Sequence, residues 1–142
     1  MKLDVLKQVC EEFIPFNKFL GVRVIRAEVG SVRLEVPFRP ELVGDPMKPA
    51  LHGGVLSMLA DTAGGMAVWS AVEDELARIS TIDLRVDYLR PGKLEPIAAE
   101  AVVVRVGGRV GVADVRLFHP TDEAATVATG KAVYAIKLPR AK

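Results

Sequence analysis

Residues Leu51 to Trp69 read LHGGVLSMLADTAGGMAVW, with one formally charged side chain, Asp61. At ~100° per residue, Leu56, Leu59, Ala63, Met66 and Ala67 fall on one side of a helix. This spacing predicts a helix from about 53 to 72 that packs on a sheet. Asp61 lies on the other side, with Gly54, Ser57, Met58, Gly64, Gly65 and Val68. That side is lined by small residues, where a solvated face would carry charges. It suits close approach by another backbone, a substrate or a second subunit. The stretch from Pro49 to Val72 is long enough to raise a membrane span. Its glycines, serines and threonine dilute the hydrophobicity, however, and Asp61 would sit near mid-bilayer at high cost. The reading is a buried helix of a soluble protein.

His52-Gly53-Gly54 stands where this helix should start. The first turn of a helix carries N–H groups without intrahelical partners, together with the positive end of the helix dipole. Glycines leave those groups uncovered, and such a terminus can stabilise an oxyanion, for example a thioester carbonyl oxygen under attack. Gly53 and Asp61 are eight residues apart, or ~12 Å along a helix at 1.5 Å per residue. Reacting atoms must lie ~3–3.5 Å apart, so one carbonyl cannot use both groups of the same helix. If both serve one reaction, the carboxylate comes from a second copy. A twofold dimer supplies this when two such helices meet across the small-residue face.

Working outward, Leu3, Leu6, Val9, Cys10 and Phe13 predict a helix over 3–14, stopped before Pro15. Leu20 to Glu28 and Val32 to Phe38 are β-like, joined at Gly30-Ser31, and the proline-rich residues 39–51 form a loop. From Ser80 to Arg90 the alternation puts Ser80, Ile82, Leu84, Val86 and Tyr88 on one face and Thr81, Asp83, Arg85 and Asp87 on the other. Strands then follow over 97–106, 109–118 and 125–137, separated by short turns, so they pair antiparallel. The class is α+β, an antiparallel sheet with a long helix on one face. Its 142 residues form a single domain, 1–142, comprising an N-terminal helix over 1–15 and a core over about 20–137.

Nineteen basic and eighteen acidic residues leave a net charge of +1, which gives no global reason to expect nucleic acid or an anionic membrane as partner. Cys10 is the lone cysteine, so an intramolecular disulfide and a thiolate metal cluster are excluded. The N-terminal stretch carries Asp4, Lys7, Glu11 and Glu12 and lacks the apolar run of a signal peptide, so the expected location is cytoplasmic. His52 and His119 have no metal-ligand spacing, and no metal or other cofactor is expected.

HGGVLSMLADTAG at 52–64, STIDLRVDYLRPG at 80–92, Gly107-Gly108-Arg109 and the ending ATGKAVYAI together resemble the hotdog-fold acyl-CoA thioesterases of the phenylacetyl-CoA thioesterase (PaaI-like) group. The similarity covers roughly residues 20–137. It implies a sheet wrapped around a central helix, and hydrolysis of an acyl- or aryl-acyl-CoA to a carboxylate and free coenzyme A. By the same resemblance Asp61 is the nucleophile or the general base on water, and the Gly53 N–H polarises the thioester carbonyl beside His52. Thr81 orients the attacking water, and the assembly is a homodimer or a dimer of dimers with shared sites. One departure is visible: many members carry asparagine six residues before the histidine, where this chain has Pro46 next to Asp45.

Other residues have plainer readings beside the functional ones. His52 reads as a helix cap or supporting donor, and His119, at a strand end before Pro120, as an exposed residue. Ser57 lacks a nucleophile-elbow setting and reads as a hydrogen-bonding group toward substrate or the opposite helix, as does Gly54. Among the basic residues, Arg90 and Arg109, both next to turns, are favoured for the phosphates of coenzyme A. Met58, Met66 and Trp69 read as core or acyl-pocket lining. Two rival functions stay open: an acyl-CoA-binding hotdog protein without catalysis, and a hotdog dehydratase.

Overall fold

The computed structural model describes residues 2–140. The N-terminal segment folds as α1 (Lys2–Gln8), a π-helical turn (Val9–Phe13) and α2 (Pro15–Leu20). The expected helix end before Pro15 is therefore only a break. Pro15 opens a second helix, in the first turn where its missing N–H is no loss. Gly21, at φ 74°, ends that helix with a left-handed cap. Strand β1 consequently starts at Arg23 (Arg23–Glu28) and not at Leu20. Asn17 of α2 is buried and donates Nδ2–H to the Cys10 carbonyl at 3.0 Å, tying the two helical pieces together.

Five further strands follow: β2 (Ser31–Val36), β3 (Arg78–Tyr88), β4 (Ile97–Val106), β5 (Val110–His119) and β6 (Asp122–Lys137). They form one sheet in the order β1-β2-β4-β5-β6-β3, antiparallel at each pairing. The short turns make β4-β5-β6 a meander, as expected. β3 crosses to the far side to pair with β6, so β1 and β3 are the two edges.

The long helix α3 (Gly53–Ala71) lies across one sheet face. Its Leu56, Leu59, Ala60, Ala63 and Ala67 share one apolar core with Val32, Leu34 and Val36 of β2, Ala99 and Ala101 of β4, and Leu117 of β5. The sheet wraps far round the helix, so the buried arc is wider than one stripe. Gly64 and Val68, expected beside Asp61 on the outward side, are buried against the sheet instead. The contact is close: a Cβ at Gly111 would come within 3.1 Å of Val68 Cγ2, so β5 needs glycine there. Met58, Thr62, Gly65, Met66 and Trp69 remain half-covered on the outward side. Among the described residues, no helix is long and apolar enough to cross a membrane.

The clean alternation read in β3 is broken by a bulge. Thr81 pairs with Tyr134 and Asp83 with Val133, leaving Ile82 as an extra residue. The side-chain parity therefore reverses within the strand. Ile79, before the bulge, and Leu84 and Val86, after it, pack on the core, whereas Ile82 is exposed. Thr81 and Tyr88, assigned to opposite faces from the sequence, both reach α3 as a result.

Cys10 is fully buried, and burial pushes its thiol up to about 11. Its contribution to stability is whole below the ordinary thiol value and is lost as pH rises through about 11. Chemical unfolding at pH 8 and at pH 11 should therefore show a loss in the wild type of about 2 kcal/mol more than in Cys10→Ala. Equal losses in the two proteins would contradict that assignment.

Candidate active site

The first turn of α3 is held from three sides. His52, in extended conformation, is the N-cap, and its ring Nδ1 accepts the Gly54 N–H at 2.8 Å. The Val55 N–H bonds the His52 carbonyl at 2.9 Å. The Gly53 N–H is the remaining amide for which the turn itself supplies no acceptor. It therefore stands at the positive end of the helix as the free donor. Because Nδ1 accepts, the neutral His52 ring carries its proton on Nε2, as a cap with an outward donor and not as a base at Nδ1. Gly54, expected to contact substrate, has its amide taken by His52.

Tyr88, at the end of β3, donates its hydroxyl to the Gly53 carbonyl at 3.0 Å and hydrogen-bonds Ser57 Oγ. Ser57 is thus engaged by its own chain. Behind the turn, the Leu51 N–H bonds the Gly92 carbonyl at 3.0 Å, and the His52 N–H bonds the Leu42 carbonyl at 2.8 Å. Leu51, Gly53, Tyr88, Leu89, Arg90 and Gly92 share a surface depression of about 400 Å³. Arg90 therefore stands in the same depression as the Gly53 amide. Arg109 does not: it precedes β5 at the end of the sheet opposite Tyr88, where its carbonyl accepts from Ile136 at 2.8 Å.

Two turns along α3, Asp61 is half-buried, and its Oδ1 accepts the Thr81 hydroxyl at 2.8 Å. Its main-chain carbonyl accepts the Tyr134 hydroxyl at 2.6 Å. Burial, and then the Asp61 carboxylate, hold the Tyr134 phenol far above its usual range, so it serves as a fixed donor. Asp61 and Thr81 line a second cavity, of about 260 Å³, with Ile14, Asn17, Trp69 and Ile79. The two cavities share no residue. Since α3 is unbroken between them, the Gly53 amide and Asp61 stay ~12 Å apart within one chain.

The loop position discussed above also has a structural answer. The Asp45 carboxylate accepts the Met47 and Lys48 amides at 2.9 and 3.1 Å, closing its own turn. The nearest polar side chain to Pro46 is therefore occupied locally. His119, expected to be exposed, is 3% exposed and hydrogen-bonded at both ring nitrogens. Tyr88, Tyr134 and Asn17 at the two cavities were not singled out from the sequence. Tyr88 left a trace there, as an aromatic at the end of the alternating strand, and Tyr134 as part of the ending ATGKAVYAI. Among the described residues, no three His, Cys, Asp or Glu side chains are grouped to hold a metal.

A family profile described as the thioesterase superfamily matches residues 49–126, more than half of the chain, including α3 and both cavities' β3 residues. The chain belongs to the thioesterase superfamily. Among the relatives of this superfamily member, a Halobacterium salinarum protein provisionally named an esterase is 45% identical over 81% of this chain and 77% of its own. The medium/long-chain acyl-CoA thioesterase YigI of Escherichia coli is 37% identical over 94% of each chain. A solved structure from Shewanella oneidensis, related to the thioesterase superfamily, matches with a TM-score of 0.84 at 28% identity over 95% of each chain. The six-stranded antiparallel sheet around α3 is the hotdog fold of that superfamily.

Tyr134→Phe removes the hydroxyl that steadies the helix at Asp61. Urea unfolding should show a loss of about 1 kcal/mol, and an unchanged midpoint would mean that the bond adds nothing net.

Proposed function

We propose that this thioesterase-superfamily protein hydrolyses acyl-CoA thioesters to a carboxylate and free coenzyme A at sites shared by two copies. The observation that carries the reading is the placement of Asp61. It is fixed by Thr81 at one cavity, while the only free amide of the helix start stands ~12 Å away at another. Across a twofold axis, the Gly53 end of one helix can face Asp61 of the other. β3 offers a place for this, as an edge strand of 11 residues whose outer side pairs with none of the described residues. The half-covered side of α3 lies beside it. A dimer, or a dimer of dimers, is the assembly this reading proposes.

In such a site the Gly53 N–H donates to the thioester oxygen as charge develops on it. The Asp61 carboxylate takes a proton from water, and the oxygen of that water bonds the acyl carbon. Collapse breaks the C–S bond, and coenzyme A leaves with the proton that Asp61 held. Direct attack by Asp61 would pass through an acyl anhydride and reach the same products. In the proposed reaction, water, a carboxylate and an amide suffice to balance every step. Arg90, which lines the same depression as Gly53, is the basic residue proposed to meet a coenzyme A phosphate.

Medium- or long-chain acyl-CoA is the substrate class proposed, supported by the relative named as a medium/long-chain acyl-CoA thioesterase, aligned along nearly the whole chain. The apolar lining of the Asp61 cavity by Ile14, Trp69 and Ile79 agrees with an acyl tail. The setting proposed is the cytoplasm, where such thioesters are made and used.

A thiol-release assay over aliphatic and aromatic acyl-CoAs tests the reading. Asp61→Ala should lower kcat at least ~10²-fold on the best substrate, as loss of a general base does, with an unchanged oligomer by light scattering. Wild-type rates in that variant would overturn the mechanism, and binding without thiol release by the wild type would favour an acyl-CoA carrier.

A further inference from the structure

A residue outside both cavities holds one of them in place. The connection from β3 to β4, Leu89 to Pro96, forms the wall of the Gly53 depression on one side. On its other side it is clamped by His119 at the end of β5. The imidazole is 3% exposed. Its Nε2 accepts the Lys93 N–H at 2.9 Å, and its Nδ1 lies 2.8 Å from the Pro96 carbonyl. Since Nε2 accepts, Nδ1 carries the proton and donates it to Pro96. One neutral ring thus satisfies a part-buried donor and a part-buried acceptor three residues apart on the same loop.

What the loop carries makes this clamp matter. Gly92, one residue before Lys93, accepts the Leu51 N–H at 3.0 Å. A Cβ at Gly92 would come within 3.0 Å of Leu51 Cβ, so the loop and the segment leading into α3 are in direct contact. Leu51 is followed at once by His52 and Gly53. The chain of contacts runs from the His119 ring through the Lys93 amide and the Gly92 carbonyl to the Leu51 amide, and so to the proposed oxyanion donor. The route involves three hydrogen-bonded or adjacent backbone units and no flexible side chain other than His119.

We infer that His119 is a positioning residue for the reaction: acceptance of the Lys93 N–H by its Nε2 fixes the loop that sets the Gly53 amide. This inference rests on the functional reading above only for its effect on turnover. Thr121, whose hydroxyl donates to Glu95 at 2.5 Å, ties the far part of the same loop to the turn after β5. That tie leaves the Lys93–Gly92 segment to His119.

Two conservative variants separate the nitrogens. His119→Gln can set its Oε1 near the position of Nε2 and keep an acceptor for Lys93. His119→Asn can set its Nδ2 near Nδ1 and keep only the donor to Pro96. The first readout needs no activity: hydrogen exchange at the Leu51 amide, followed by NMR, with thermal unfolding to confirm folding. Exchange should be at least ~10-fold faster in His119→Asn and near wild type in His119→Gln. The second readout is turnover of the best acyl-CoA. In His119→Asn, kcat should fall about tenfold with KM changed less than about threefold, short of the ~10²-fold that a full ångström of misplacement can cost. Gln should restore most of the loss.

Gly92→Ala, which crowds Leu51 from the loop side, should reproduce the kcat loss with His119 intact. Should His119→Asn fail to fold, this variant, with the Gln variant as control, decides the question. Unchanged Leu51 exchange in folded His119→Asn overturns the inference, as does a loss carried by KM alone or one that Gln fails to restore. Absence of thioester hydrolysis in the wild type would instead remove the functional reading, while the exchange measurement would still decide whether the brace exists.

Discussion

An α-helix rises 1.5 Å per residue and does not bend to suit chemistry, so the eight residues from Gly53 to Asp61 separate a free amide from a carboxylate by ~12 Å. α3 is regular from Gly53 to Ala71, and both groups sit on it. Nothing in a single chain can close that gap. On the proposed reading, the two groups are presented separately, each firmly, so that they can meet across two copies.

The fold meets that need by wrapping the sheet around the helix. Alanines and glycines on β4, β5 and β6 let α3 settle deep, with Gly111 against Val68 and Gly64 against Tyr134 as close contacts. What stays outside is a strip of half-covered residues and the edge strand β3. β3 then serves both sites at once: Thr81 near its start holds the Asp61 carboxylate, and Tyr88 at its end holds the first turn of α3. A bulge at Ile82 makes that double duty possible, since a regular strand would point those two side chains to opposite faces.

Much of this was legible in the sequence, for physical reasons that can be named. The start of α3 at His52 and the span of β4 over 97–106 matched, because glycine turns and apolar periodicity mark them directly. The second helix at Pro15 was missed because proline signals both a stop and a first turn, and only the Gly21 cap distinguishes them. The bulge was illegible, since an extra residue leaves an alternating pattern intact on each side of itself. Gly64 and Val68 were misplaced because periodicity gives direction around the helix but not how far a curved sheet reaches. His119 looked exposed from its place before a turn. Its burial depends on the β3–β4 loop folding over it, a contact between residues 23 and 26 positions apart. The family resemblance gives Thr81 the role of orienting the attacking water; the structure shows its hydroxyl donating to the Asp61 carboxylate.

The shared-site claim is tested most directly with two differently tagged variants. Gly53→Pro removes the amide N–H while its backbone suits the helix start, since proline fits the first helical position and His52 already has the extended backbone that proline prefers before it. Its Cβ meets the Tyr88 ring at 3.3 Å, so that ring must give slightly. Asp61→Asn removes the carboxylate. Each homodimer should be inactive toward acyl-CoA. The purified heterodimer should recover about half of the wild-type activity, because one of its two sites then regains both groups. A heterodimer as inactive as its parents would show that amide and carboxylate do not meet across copies, and the account would be wrong.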